Sequence, residues 1–403
     1  MKKVGLITLI YAFEDSLSPY QSMISVHPSF CQEPWFIYLT GLLQRGAALL
    51  LDPYTNTTFL FLPNHDEHKV FWEGEYLGYG LEALQQYTGD TIVYPVTQLP
   101  QILEEKLKNQ KKMAMFWHYK KQDHYSDSAQ KVKKFLKKTM PHITLQNCDT
   151  LIWPYRLILD DQDYHILKIT HEKTASAFHH TLEKLSESKT ENELAGFLEY
   201  QLKKQSHFGT AFPTICASGK HACTLHYNQN QGPLQPLLLL DFGLRYESKV
   251  SDISRTLPIS GKFNPLEEIL YHIVLETQER IEKEVKPGRR LADINQMAWE
   301  LLNTLIEKKF YAIGGKWKKS YDKNPHQIGH AIGICVHEGD PNRQYYNMPL
   351  QPGMLISNEP GLYGYFELEI AGQRYRQWIG IRIEDNLWLT KQGCENLSKA
   401  IPK

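Results

Sequence analysis

The chain of 403 residues has no charge of either sign to spare: Lys+Arg and Asp+Glu number 45 each. Nothing in that balance points to nucleic acid or to an anionic membrane surface as a partner. No apolar run reaches 18 residues, so no segment is suited to cross a bilayer as a helix. The six cysteines, Cys31, Cys148, Cys216, Cys223, Cys335 and Cys394, form no CxxC pair. Their scatter speaks against a zinc ribbon or a disulfide framework and for a reducing, cytoplasmic setting. Met1-Lys2-Lys3 and the following VGLITLIYAF have the charged and apolar parts of a secretory signal. They lack a small-x-small cleavage site, Glu14 and Asp15 follow at once, and the stretch reads as part of the fold.

The length exceeds what one core usually supports, and the pattern divides it into domains of residues 1–153 and 154–403. The first reads as mixed α/β. Phe36–Leu39, Ala47–Leu51 and Thr58–Leu62 are strand-like, and DPYTN (Asp52–Asn56) turns between the last two. Gln98–Gln110 and Ala129–Lys138 have helical spacing, the latter with a basic, solvated face. No cluster of acids and histidines gathers in this region. Beyond Trp153-Pro154 two helices are expected, about Tyr164–Ser186 and Glu191–Lys204, the second opened by a capping box of Thr190 and Glu193. Strands follow, and then the order repeats. Asn264-Pro265-x-Glu267 starts a helix that Lys286-Pro287-Gly288 ends, a second helix covers Ala292–Lys308, and more polar strands come after it. Helix pair then strands, twice over, suggests a structural duplication. The fold class is α/β (α+β).

Leu237–Thr256, LLLLDFGLRYESKVSDISRT, reads as a β-hairpin with one aspartate on each arm. A turn centred on Tyr246 and Glu247 would set Asp241 directly opposite Asp252, on one face of the ladder. Side by side in apolar surroundings, two carboxylates call for a cation between them. The plainer reading, that Asp241 ends a buried strand and Asp252 caps a turn, weakens as further donors appear. HQIGHAIGICVHEGD places His326, His330 and His337 within twelve positions, with Gly329 and Gly333 allowing close backbone approach. LISNEPGLY puts Glu359 between an apolar stretch and a Pro-Gly break, and IGIRIEDN puts Glu384 in an alternating strand with Arg382 and Gly380 on its face. An unpaired carboxylate in such strands is costly to bury. Two aspartates, two glutamates and a histidine make an oxygen-rich set that suits Mn²⁺ better than a thiolate-loving metal.

These residues resemble the pita-bread metallopeptidases, and among them the Xaa-Pro aminopeptidases (aminopeptidase P). The matching pieces are LHYNQN at Leu225–Asn230, DFG…SDISRT, GHAIG…VHE, EPGLY at Glu359–Tyr363 and YRQWIGIRIEDN ending at Asn386. In the first domain they are YLTG at Tyr38–Gly41, LLLDP at Leu49–Pro53 and FWEG at Phe71–Gly74. The resemblance implies an N-terminal creatinase-like mixed α/β domain followed by a C-terminal pita-bread metallopeptidase domain. It implies two Mn²⁺ ions, with Zn²⁺ or Co²⁺ as alternatives, held by Asp241, Asp252, His330, Glu359 and Glu384. Asp241 would chelate one ion, His330 and Glu359 the other, and Asp252 and Glu384 would bridge, with a hydroxide between the ions as nucleophile. Glu359 would move the proton, and His226 and His337 would hold the substrate and steady the tetrahedral intermediate. His326 would line the pocket wall, and Arg382 would back a ligand carboxylate and face the substrate. The expected partner is a peptide with an N-terminal Xaa-Pro, bound by a homodimer or homotetramer in which Trp72 reaches a neighbouring site.

Two departures bear on the substrate. An Asp commonly stands shortly before YLTG in these aminopeptidases; here Trp35 takes that place, with Glu33 the nearest acid. VHE replaces VHD after the catalytic histidine, and SD replaces GD before I-x-RT, as in short Xaa-Pro dipeptidases (prolidases). Prolidase is therefore the runner-up, with Arg374 or Arg376 as a cation for the proline carboxylate. Methionine aminopeptidase, creatinase and a metal-free pita-bread binding module are the remaining alternatives.

Overall fold

A computed structural model describes residues 5–12, 32–80, 91–116, 127–339 and 342–403. The chain divides into two compact units, residues 1–153 and 154–403. In the first, β1 (Thr8–Tyr11) is followed by α1 (Pro34–Thr40), β2 (Ala48–Asp52), β3 (Thr57–Leu62), α2 (Glu67–Glu73), β4 (Thr91–Pro95), α3 (Leu99–Leu107), β5 (Lys112–Met115), α4 (Asp127–Thr139) and β6 (Thr144–Asn147). The strands form one mixed sheet in the order β4-β3-β2-β1-β5-β6. Its apolar side chains, among them Leu9, Leu50 and Phe61, pack with Leu103 and Leu107 of α3 and Leu136 of α4. The apolar N-terminal run thus supplies a central strand. Asp52 closes the β2–β3 turn by accepting from the amides of Tyr54 and Thr55, and Asn56 takes a left-handed backbone.

Phe36–Leu39 is helix, not the expected strand. Pro34 supplies a preset first-turn φ, the Glu33 carboxylate accepts from the Phe36 amide, and Gly41 ends the helix in the left-handed region. Local end signals here outweigh the β preference of Trp35, Phe36 and Ile37. Glu33 is thereby engaged as a helix cap, and Trp35 is buried with its indole N–H donating to Asp149.

α5 (Asp149–Leu157) carries the division between the units. The second unit continues with α6 (Asp161–Leu182), α7 (Glu191–Gln205), β7 (Ile215–Ser218), β8 (Leu237–Phe242), β9 (Arg245–Tyr246), β10 (Lys249–Val250) and β11 (Ile253–Pro258). Then come α8 (Pro265–Glu284), α9 (Leu291–Lys309), β12 (Lys316–Lys319), β13 (Ala331–Ile332), β14 (Leu355–Asn358), β15 (Gly361–Ile370), β16 (Gln373–Arg382), β17 (Asp385–Leu389) and β18 (Cys394–Asn396). Helix pair and strands do recur. The capping boxes at Thr190/Glu193 and Asn264/Glu267 both form, and α6 starts earlier than its apolar spacing suggests because Asp160 and Asp163 make a third. The strands fall into sheets β11-β8-β7, β12-β15-β16 and β13-β14-β17-β18, with β9-β10 as a ribbon.

Candidate metal centre

β8 is buried at every position and brings Asp241 into the interior. Its partner across the ladder is Ser254, not Asp252. The hairpin turns at Glu247-Ser248, one residue later than expected, with Glu247 at φ 51° and Tyr246 opposite Lys249. No Asn-Gly or Asp-Gly marks the turn, so the sequence leaves its centre open by a residue. Moving the centre by one moves the pairing by two, and an even shift keeps each side chain on its face. Asp252 therefore lies diagonal to Asp241 and still shares its side of the sheet.

His330 immediately precedes β13, and Glu359 lies between β14 and β15. Ser357 joins the two: its hydroxyl accepts from the His330 amide at 2.8 Å and donates to Glu359 Oε1 at 3.2 Å. Gly329 is required here, since a Cβ would stand 2.2 Å from the Ser357 carbonyl oxygen. Glu384 sits in the link between β16 and β17, just past the strand in which it was expected, and its amide donates to the Ser254 carbonyl at 3.0 Å. The hydroxyl of Ser254 donates to Glu384 Oε2 at 2.8 Å and accepts from Arg382 Nε at 2.8 Å.

Asp252, His330 and Glu384 each bring one donor atom to within 4.8 Å of the others. His330 Nε2 lies 3.4 Å from Asp252 Oδ2 and 3.3 Å from Glu359 Oε1. Oδ1 of Asp241 and Oε1 of Glu384 are buried without a hydrogen-bond partner. Uncompensated oxygens of this kind are costly unless a cation takes them up. Four carboxylates, one histidine and no thiolate form a hard-to-borderline donor set, so the residues fit a divalent cation.

The electrostatics agree. Burial pushes the Asp241 carboxyl up to about 6, against the pull of Arg382, with the charge of Asp252 adding to the rise. Burial pushes Glu359 up to about 7, opposed by His330 and reinforced by Asp252. Glu384 is driven well above the usual range by burial and then by Asp252 and Glu359. Burial alone would lower His330, but its hydrogen bond to Asp252 and the charge of Glu359 prevail and raise it. The site holds more negative charge than Arg382 can balance.

These residues line a cavity of about 330 Å³ together with His226, His326, His337, Phe212, Ile215, Leu225 and Val336. The nine residues expected to hold metal, act in catalysis or face the substrate thus meet at one place. His337 is not in the close donor group; its ring lies 4.2 Å from that of His330, and burial followed by the charge of His330 holds it down at about 4. His326 faces Tyr363, 3.0 Å from the hydroxyl, and is lowered to about 4 chiefly by burial. Arg382 donates to Asp241 Oδ2 at 2.6 Å and to Tyr363 at 3.3 Å. Sequence reasoning missed Ser254, Ser357, Tyr363 and Asn386, whose side chain holds both the amide and the carbonyl of Asp252 at 2.9 and 2.7 Å. Three of them stand two residues from a ligand candidate, the strand spacing that would have found them. Arg374 and Arg376 are elsewhere: both are exposed and pair across the β15–β16 hairpin with Glu369 and Glu367.

Residues 165–391, which include every lining residue of the cavity, match metallopeptidase family M24, and residues 10–116 match the aminopeptidase P N-terminal domain. An Arabidopsis thaliana protein named intermediate cleaving peptidase 55, mitochondrial, is 30% identical over 399 residues, 96% of this chain and 76% of the relative. Xaa-Pro aminopeptidase of Escherichia coli is 27% identical over 417 residues, 99% and 92% of the two chains. A variant of Escherichia coli aminopeptidase P superposes with a TM-score of 0.79 at 26% identity, covering 98% of this chain and 91% of that one. With a donor set built for a cation and matches across both of its units, the chain belongs to metallopeptidase family M24 and carries the aminopeptidase P N-terminal domain.

Proposed function

We propose that this chain is a metal-dependent Xaa-Pro aminopeptidase, removing the residue ahead of a proline at a peptide N-terminus. The observation that carries the reading is the cavity floor: five converging donors, with one oxygen of Asp241 and one of Glu384 buried and unpaired. The similarity to Xaa-Pro aminopeptidases along nearly the whole chain supports the substrate class. Two cations are proposed, Mn²⁺ by preference for the carboxylate-rich set, with Zn²⁺ or Co²⁺ able to substitute. Asp241 would hold one, His330 and Glu359 the other, and Asp252 and Glu384 both. When bound, such ions make a water acidic enough to attack near neutral pH.

The chain's own groups do the rest. Glu359 would take a proton from the attacking water and return it to the leaving proline nitrogen. His226 and His337 line the cavity beside the donor group and would offer N–H groups to charge developing on the scissile carbonyl. His326 and Tyr363 form the wall beside Glu359, with His326 Nδ1 3.8 Å from Glu359 Oε2. Arg382 fixes one oxygen of Asp241, and the second, buried and without a hydrogen-bond partner, would serve a cation.

Besides the VHE and SD departures, a prolidase reading has one structural observation in its favour. Arg343 lies close enough to His337 for its charge to bear on that ring, although its guanidinium stacks over Tyr346, 5.9 Å from the ring centre. The complete donor set stands against a metal-free binding role. A homodimer or homotetramer in the cytoplasm is proposed as well, supported by the exposed Phe71–Trp72 pair on α2. Among the described residues, no helix is long and apolar enough to cross a membrane. The test is mass spectrometry of products from a panel of Xaa-Pro-Xaa peptides with Mn²⁺. Release of the first residue alone supports the reading, and intact peptides with every metal tried would refute it.

A further inference from the structure

We propose that Glu338 is a positioning residue: one of its oxygens ties the loop between His330 and His337, and so sets His337 over the metal centre. The proposal rests on the reading above, in which His337 faces the substrate. Glu338 occupies the position where VHE departs from VHD, and the mechanism makes no use of it. It is buried, although its neighbour His337 is exposed to the cavity.

The two oxygens of Glu338 divide their work. Oε1 accepts from the amides of Ile334 and Cys335, each at 2.9 Å. Oε2 takes Nε and Nη2 of Arg156 at 2.7 and 2.6 Å. Its own amide donates to the Ala331 carbonyl at 2.8 Å, so the chain returns beside β13. The loop is thus folded around a carboxylate, and a Cβ on Gly333 would stand 3.2 Å from Oε1. The loop's outer carbonyls are fastened to the aspartate hairpin: Val250 donates to Gly333, and Arg245 to Ile334. A proposed ligand and a proposed substrate donor therefore leave the two ends of one pinned loop, their rings 4.2 Å apart.

A buried ion pair is weak evidence of function, because its desolvation cost offsets much of its attraction. The separate roles of the two oxygens allow loop and pair to be tested apart. In E338Q/R156M the amide oxygen still accepts from Ile334 and Cys335 and no cation is stranded. In E338A/R156M the cation is also gone, but the loop amides lose their acceptor. With the Mn²⁺-loaded full chain and Ala-Pro-Ala, E338Q/R156M is expected to keep most of the wild-type kcat. E338A/R156M is expected to lose on the order of 10²-fold in kcat, the cost of misplacing a catalytic group by about an ångström. Its KM and metal content should change little. Histidine ¹⁵N spectra, with the His337 signal assigned by H337Q, give a readout independent of turnover: that signal should move or broaden only in E338A/R156M. Equal behaviour of the two double variants in both readouts overturns the proposal, as does loss of metal from E338A/R156M. Should the double variants not fold, E338D reaches too short to serve both Arg156 and the loop, and a wild-type kcat and spectrum there overturns it equally. Failure of the wild-type enzyme to cleave the peptide would count against the Xaa-Pro reading, while the spectra would still decide the role of Glu338.

Discussion

Arg382 donates to Oδ2 of Asp241 at 2.6 Å, and Oδ1 of the same carboxylate is buried with no hydrogen-bond partner. One oxygen is held so that the other is aimed. The same guanidinium reaches Ser254, whose hydroxyl serves Glu384, so a single cation orients two proposed ligands, Asp241 on β8 and Glu384 in the link between β16 and β17. Substituting such an outer partner typically costs 10–100-fold in metal affinity. Arg382→Met should therefore weaken metal binding by roughly that factor, read by titrating Mn²⁺ into metal-free protein. Wild-type affinity in that variant would show that Asp241 needs no orienting partner.

Asp252 and Glu384 should matter more than any of the three other proposed ligands, Asp241, His330 and Glu359. Each belongs to the close donor group with His330, and each is proposed to serve two ions. Asp252→Ala and Glu384→Ala are expected to lose at least one metal equivalent and nearly all turnover. Elemental analysis finding the full wild-type complement in either variant would remove the bridging assignment.

The sequence revealed the site's residues more fully than their setting. Asp241, Asp252, Glu359 and Glu384 are legible because carboxylates in apolar strands are conspicuous, and His330 because it stands in a glycine-flanked histidine cluster. The hairpin register was not, since neither Asn-Gly nor Asp-Gly fixes the turn; the site survived that error because the shift was even. Phe36–Leu39 reads as a strand from its β-favouring residues alone, whereas the Glu33-Pro34 start and the Gly41 stop make it a helix. Ser254 and Ser357 escaped notice because a serine in a strand gives no signal until its ligand neighbour is known.

His337 tests the division between holding metal and handling substrate. It lies outside the close donor group yet lines the cavity. His337→Ala should keep its metal and lose about 10²–10³ in kcat, as when a donor to developing charge is removed. A fall in metal occupancy matching the fall in rate would make His337 a ligand.

Stability of the first unit should respond to acid through Asp52. Burial tends to raise its carboxyl, but hydrogen bonds from Thr55 and Tyr54 and the charge of Lys106 outweigh that and hold it below the ordinary value. A depressed folded value means that the contribution is present above the unfolded pKa of about 3.9 and is lost as pH falls through the folded one. Asp52→Asn should lower stability by roughly 1–3 kcal/mol at neutral pH. Thermal melts of the two proteins should converge below about pH 4. A gap that stayed constant with pH would mean that Asp52 acts by shape and not by charge.

Substrate length turns on where the cations are. A dipeptidase must neutralise the carboxylate of the proline itself, which requires a free cation close to the metals. Arg374 and Arg376 cannot serve, being paired on an exposed hairpin. Among the described residues lining the cavity the one guanidinium is Arg382, already engaged by Asp241. Xaa-Pro-Xaa peptides should therefore be cleaved at least as efficiently as Xaa-Pro dipeptides, with a free amino terminus required. Arg343, near His337, is the remaining candidate for a carboxylate anchor. The comparison is kcat/KM for both lengths with the same first residue, in the wild type and in Arg343→Ala. If the continuing chain leaves the cavity freely, the substitution should affect the two lengths alike. A strong preference for the dipeptide that Arg343→Ala abolishes would make the enzyme a prolidase and Arg343 its length-determining residue.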